Sequence, residues 1–129
     1  MQELRTAVVG VGYLGRFHAQ KYASLPGSKL VGVCDPDAGA RAKVAAELGV
    51  EAFADHHELL GRVDAVSIVT PTTLHHRVAR DFLEAGAHVL VEKPITVTVA
   101  EARELIDLAT ARKLVLQVGH LERFNPAIL

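Results

Sequence analysis

The chain has 129 residues, half of them apolar and 22% charged, with 14 Lys and Arg against 15 Asp and Glu for a net charge of −1. This length suits one domain with a sizeable core, and a near-neutral chain without a basic face excludes nucleic acid as an expected partner. The lone Cys34 cannot form an internal disulfide, and the first apolar run is broken by Gly10 and Gly12, unlike a secretory or membrane segment. The expectation is therefore a soluble, cytoplasmic protein with no membrane partner.

Residues 6–9 form a compact apolar run ending in glycine, and 14–25 have helical spacing that stops at Pro26-Gly27. A strand is predicted over 29–34 and a helix over 38–48, with Gly49 placed to end it. A weak strand at 51–54 leads to a short helix near 57–60, then a strand at 65–69 and a helix over 74–85 followed by Gly86. The remaining elements are a strand at 87–91, a long helix over 99–112 and a sixth strand at 114–118. The strand runs lack strict alternation, as expected when both faces of a sheet are covered. The pattern predicts an α/β fold of the Rossmann type: a doubly wound, parallel, six-stranded sheet with helices on both faces. The first four elements alone fit a flavodoxin-like order equally well.

Gly10-Val11-Gly12-Tyr13-Leu14-Gly15 is a GxGxxG element between the first strand and the first helix. In that context Gly10 permits a tight turn, Gly12 lets backbone approach a pyrophosphate, and Gly15 lets helix and strand pack closely. Asp35 stands at the end of the second strand, twenty positions after Gly15, where a carboxylate accepts hydrogen bonds from an adenosine ribose and repels a 2′-phosphate. Pro36 follows it, so no arginine comes next to receive that phosphate, and NAD is the expected cofactor over NADP. The plainer alternative has three glycines making a turn and Asp35 capping the next helix.

Ligands in such sheets bind at the carboxyl ends of the strands. Those ends carry Thr70-Pro71-Thr72-Thr73-Leu74-His75, Glu92-Lys93-Pro94 and Gly119-His120-Leu121-Glu122-Arg123. Thr70, Pro71, Thr72, His75, Glu92 and Lys93 join Gly10, Gly12, Tyr13, Leu14, Gly15 and Asp35 as candidate cofactor-contacting residues. The threonines also suit a helix cap. His75 and His76 have no metal-ligand spacing with any partner and the other histidines are scattered, so no metal site is expected. Cys34 reads as a small buried residue with no neighbouring base to activate it.

Gly10 to Gly15 followed by Arg16-Phe17-His18, then Thr70-Pro71 with His75, then Glu92-Lys93-Pro94, resemble the N-terminal domain of the glucose–fructose oxidoreductase / inositol dehydrogenase / rhizopine catabolism (Gfo/Idh/MocA) family. The resemblance runs from about Thr6 to Arg123. It implies an NAD-dependent dehydrogenase in which Lys93 is catalytic, facing the nicotinamide and the substrate hydroxyl, with Glu92 orienting its neighbours. An ammonium there would stabilise developing oxyanion charge or move a proton. The segment from Gly119 to Ala127 resembles that of family members that oxidise the 3-hydroxyl of UDP-N-acetylglucosamine, which makes His120 and Arg123 candidate substrate contacts.

The same resemblance implies that residues 1–120 are the dinucleotide-binding domain and 121–129 begin a second, substrate and oligomerisation domain. The 129 residues alone are then expected to bind NAD but to be nearly inactive, and the full-length form to be a homo-oligomer. Two alternatives stay open: a stand-alone dinucleotide sensor without catalysis, and another activity of the family, such as inositol dehydrogenation.

Overall fold

A computed structural model describes residues 3–92 and 98–119 of the chain. Lys93, Pro94, His120, Arg123 and the 121–129 segment lie outside the described residues. The elements are β1 (Leu4–Val9), α1 (Tyr13–Ser24), β2 (Ser28–Cys34), α2 (Ala38–Leu48), β3 (Glu51–Phe53), a 3-10 turn (His56–Leu59), β4 (Ala65–Ile68), α3 (Thr72–Glu84), β5 (His88–Glu92), α4 (Val99–Ala111) and β6 (Leu116–Gly119). All six strands are parallel and lie in the order β3-β2-β1-β4-β5-β6. That order is the Rossmann arrangement and removes the flavodoxin-like alternative. Among the described residues no helix is long and apolar enough to cross a membrane.

The sheet is buried on both faces because successive residues of its central strands point to opposite sides. Ala7 and Val9 of β1 join the core beneath α3 and α4, with Ile68, Phe82, Leu83, Val91 and Leu105. Val8, between them, joins the other core with Ala19, Val33 and Val44 under α1 and α2. A register shift between Thr6 and Ala7 leaves Val31 without a partner on β1, so Leu30 and Val33 both face α1 and α2.

Helix ends follow their caps. Asp37 caps α2 by accepting from the Ala40 N–H at 2.8 Å, and Gly49 ends that helix in the left-handed region at φ +69. Thr98 caps α4 through the Glu101 N–H at 3.1 Å. The N-cap position of α3 is taken by Pro71, which makes no side-chain cap bond. The sixth strand starts at Leu116 instead of 114 because Lys113 turns left-handed (φ 57) and the Leu114 N–H still bonds the Ala109 carbonyl at 2.9 Å.

Outside the cores, the Arg16 guanidinium of α1 forks onto Glu47 of α2 at 2.8 and 2.9 Å, with Gln20 adding a bond at 2.9 Å. The hydrogen bonds from Arg16 and Gln20 hold the Glu47 carboxyl at about 2, below its usual 4.5. A carboxyl lowered on folding adds stability above its unfolded value and loses it as pH falls through the folded one. Thermal unfolding of wild type and Glu47→Gln should show a gap that persists down to about pH 4.5 and closes towards pH 2. A gap independent of pH would show that the fork adds nothing through charge.

Candidate dinucleotide site

The site forms where strand order changes direction, between β1 and β4. Leaving β1, the chain turns at Gly10, whose φ is +95 and whose N–H bonds the Cys34 carbonyl at 2.7 Å. A Cβ there would lie 2.7 Å from both the carbon and the oxygen of the Val69 carbonyl, so only glycine fits. Gly15 is more constrained still. A Cβ on it would sit 1.6 Å from the Gly10 carbonyl oxygen, which is the close approach of helix to strand that the spacing predicts. Gly12 differs from both: a Cβ would meet nothing within 4 Å. Gly12 is also the N-cap of α1 and has no side chain to bond the first-turn N–H groups. These donors stay available at the positive end of the helix dipole, the arrangement that suits a pyrophosphate.

Asp35 follows β2 beside this turn. One carboxylate oxygen accepts from the Val11 N–H at 2.9 Å and the other from the Asp37 N–H at 2.8 Å. The helix-capping alternative for Asp35 is thereby resolved, because Asp37 caps α2. Each oxygen of a carboxylate accepts about two bonds, so Asp35 keeps capacity for a pair of hydroxyls. Arg41 folds back onto the same turn, donating to the carbonyls of Asp35 at 3.2 Å and Pro36 at 3.1 Å. Cys34 is buried, and burial, with Asp55 next in effect, pushes its thiol up to about 12. It is inert as a nucleophile at neutral pH.

Across the switch point, Thr70 Oγ1 is buried and has no hydrogen-bond partner among the described residues. A buried hydroxyl without a partner is costly unless something completes it. Thr70 also abuts Gly10, since a Cβ on Gly10 would lie 3.0 Å from the Thr70 nitrogen. Pro71 is exposed and Thr72 opens α3. His75 does not line the open rim: its side chain is buried, and its Nε2 lies 2.8 Å from the Thr70 carbonyl oxygen. It supports the loop from behind. Tyr13 is 81% exposed at the start of α1 and makes an edge-on contact with Phe17 at 5.2 Å, while Leu14 is half-buried.

Glu92 ends β5 and meets a residue that the candidate set omitted. His18 Nε2 lies 2.8 Å from Glu92 Oε2, and both side chains are largely buried. Burial pulls His18 below its usual 6.5 although Glu92 pulls the other way, so the neutral ring donates its Nε2–H to the carboxylate. The signal was the histidine's place three residues after Gly15, on the side of α1 that packs against the strands. The structure thus gathers Gly10, Gly12, Gly15, Asp35 and Thr70 around one turn. The glycine cradle, the carboxylate's spare capacity and the unsatisfied Thr70 hydroxyl all fit a dinucleotide.

Comparison with known proteins agrees. Residues 4–120 match the model of an oxidoreductase family with an NAD-binding Rossmann fold, Gfo/Idh/MocA. The chain is 54% identical to UDP-N-acetylglucosamine 3-dehydrogenase of Acidithiobacillus ferrooxidans, over 99% of this chain and 40% of that protein. A solved structure of that enzyme superposes with a TM-score of 0.90, covering 99% of this chain and 42% of the other. The scyllo-inositol 2-dehydrogenase (NAD(+)) of Bacillus subtilis is 40% identical over 97% of this chain and 38% of its own length. The scyllo-inositol dehydrogenase of Lactobacillus casei, solved with bound NAD(H) and scyllo-inositol, gives a TM-score of 0.88 at 29% identity, over 98% of this chain and 38% of that one. The chain therefore spans about 40% of the length of the curated relatives it matches. With the glycine turn, the carboxylate beside it and a family match over nearly all its residues, the chain belongs to the Gfo/Idh/MocA oxidoreductases as an NAD-binding Rossmann domain.

Proposed function

We propose that this domain serves an NAD-dependent dehydrogenase acting on a secondary alcohol of a sugar nucleotide, with UDP-N-acetylglucosamine as the first substrate to test. The carrying observation is the Asp35 carboxylate, 2.9 Å from the N–H of Val11 inside the glycine turn, with open space at Gly12. The substrate class is supported by the 54% identity to a UDP-N-acetylglucosamine 3-dehydrogenase. In this reading Gly10, Gly12, Tyr13, Leu14 and Gly15 cradle the pyrophosphate, and Asp35 accepts the adenosine ribose hydroxyls and selects NAD over NADP. Thr70, Pro71 and Thr72 border the dinucleotide from β4, with His75 holding their loop.

NAD supplies a hydride acceptor. Lys93 is proposed to hold the substrate hydroxyl and take part in moving its proton, and His18 fixes Glu92 next to it in sequence. His120 and Arg123 are the proposed contacts to the sugar nucleotide. Hydride transfer requires substrate and nicotinamide held together away from water. Turnover is accordingly proposed to need a second, substrate-covering domain, of which residues 121–129 are the start, in a homo-oligomer of the reducing cytoplasm.

Fluorescence titration with NADH and NADPH tests the cofactor half of this reading. Saturable NADH binding, at least about tenfold tighter than NADPH, is expected, because a 2′-phosphate would meet the Asp35 charge. Equal affinity would overturn the preference. NADH formation from NAD with UDP-N-acetylglucosamine against scyllo-inositol tests the substrate half, in this chain and in a form carrying a substrate domain. Robust turnover by the 129 residues alone would overturn the need for that domain.

A further inference from the structure

On the α3 side of the sheet, the 3-10 turn carries two adjacent histidines that the dinucleotide site does not use. Their rings stack with centroids 4.2 Å apart, between two carboxylates. At one end, Asp55 Oδ1 lies 2.6 Å from His57 Nδ1 and 3.9 Å from His56 Nδ1. At the other end, Asp81 Oδ2 of α3 lies 2.8 Å from His56 Nε2 and 3.4 Å from His57 Nε2. His56 is further fixed against Phe82, with ring centroids 5.8 Å apart.

We propose that Asp55, His56 and His57 form a binding site for a divalent cation of the zinc type, with Asp81 orienting both imidazoles from behind. Each of the three residues offers one donor atom, and these atoms all lie within 4.8 Å of one another. Two imidazoles and one carboxylate form a nitrogen-rich, borderline donor set, which suits Zn²⁺ or Co²⁺ and not Ca²⁺ or Mg²⁺. The second carboxylate provides what ligating histidines ordinarily have, an acceptor on the ring nitrogen that faces away from the metal. Metal binding releases any proton held on the ligating ring nitrogens, after which the two carboxylates carry two negative charges opposite a divalent ion.

Around a tetrahedral ion with bonds of ~2.0–2.1 Å, neighbouring donors stand about 3.3 Å apart, so the short Asp55–His57 contact must open. Both side chains are more than half exposed, and the His57 ring can turn away while Asp55 Oδ1 keeps its capping bond from the His57 backbone N–H at 2.9 Å. A cleft of about 510 Å³ lined by His57, His76, Arg77, Arg80, Asp81 and Glu84 lies on the Asp81 side of the rings, away from the ligand atoms, while the exposure of Asp55 and His57 lets a solvent water serve as the remaining ligand. Arg77 and Arg80 bring positive charge to this cleft, with Glu84 at 3.6 Å and Glu104 at 3.9 Å offsetting that of Arg80. The bound ion would tie the 3-10 turn to α3 through Asp81.

The test titrates tag-free protein with Co²⁺ alone, follows its visible absorption, and then displaces it with Zn²⁺. One equivalent of Co²⁺ with the strong bands of a low-coordinate site, displaced by one equivalent of Zn²⁺, is expected. His57→Ala should weaken binding by about tenfold or more, and Asp81→Asn by about tenfold. His76→Ala, in the same cleft but outside the ligand set, should leave binding unchanged. Zn²⁺ should also raise the melting temperature of wild type by several degrees and that of His57→Ala by less, provided both variants melt cooperatively. The proposal is overturned if wild type takes up no stoichiometric Co²⁺, if His57→Ala binds as wild type does, or if His76→Ala alone abolishes binding. None of these outcomes bears on the dinucleotide reading, which NADH binding measures separately.

Discussion

Asp35→Ala is expected to weaken NADH binding about a hundredfold, ~3 kcal/mol, from the loss of two hydrogen bonds to a charged acceptor. The substitution also strands the Val11 and Asp37 N–H groups, which bond this carboxylate at 2.9 and 2.8 Å. Val11 is almost completely buried, so part of the effect should appear as lost stability, about 1–3 kcal/mol. Asp35→Asn separates the two contributions. It keeps an oxygen acceptor for one of the N–H groups but removes the charge, so it should melt closer to wild type, bind NADH more weakly and narrow the gap to NADPH. Calorimetric titration of the three proteins with both nucleotides checks this. Unchanged NADH affinity in a folded Asp35→Ala protein would remove Asp35 from the site.

The glycines should divide into two kinds. Gly15→Ala places a methyl 1.6 Å from the Gly10 carbonyl oxygen, against backbone that has no flexible end to yield. Helix α1 must move away from β1, at a cost of about 3 kcal/mol, and NADH binding should fall with it. That is a large share of the ~5–15 kcal/mol that holds an ordinary domain together. At Gly12 the added methyl meets nothing within 4 Å. Gly12→Ala should therefore change stability by less than about 1 kcal/mol while weakening NADH about tenfold or more, because the methyl stands where the pyrophosphate approaches. Urea unfolding alongside NADH titration separates the two. If Gly12→Ala binds as wild type does, the cradle assignment fails. If Gly15→Ala is as stable as wild type, the close helix–strand contact is not what that glycine serves.

The parts of this fold that depend on local pattern were legible in the sequence. Apolar runs without alternation correctly signal strands covered on both faces, and Gly49 marks the end of α2. The strand order was not legible from the first four elements, because pairings such as Val9 with Ile68 join residues far apart in the chain. The glycine spacing and Asp35 could be read because their chemistry lies within one strand–turn–helix unit and the next strand end.

The contacts between distant elements could not be read in this way. The spacing after Gly15 turns His18 towards the strands but does not name Glu92 as its partner, and nothing in the sequence brings His56 and His57 to Asp81, since helix rotation and sheet order decide both meetings. His75 shows the opposite failure. Its place after β4 suggested the open rim, but its position on α3 turns the ring inward, to the Thr70 carbonyl.

A nicotinamide dinucleotide is proposed to lie over the glycine turn with its adenosine ribose at Asp35. The most direct test records amide resonances of the ¹⁵N-labelled chain while NADH is added. The largest shifts are expected at Val11, Gly12, Tyr13, Asp35, Asp37 and Thr70, with none at His57 or Glu104. Shifts centred anywhere else, or no shifts from a folded chain at saturating NADH, would contradict it.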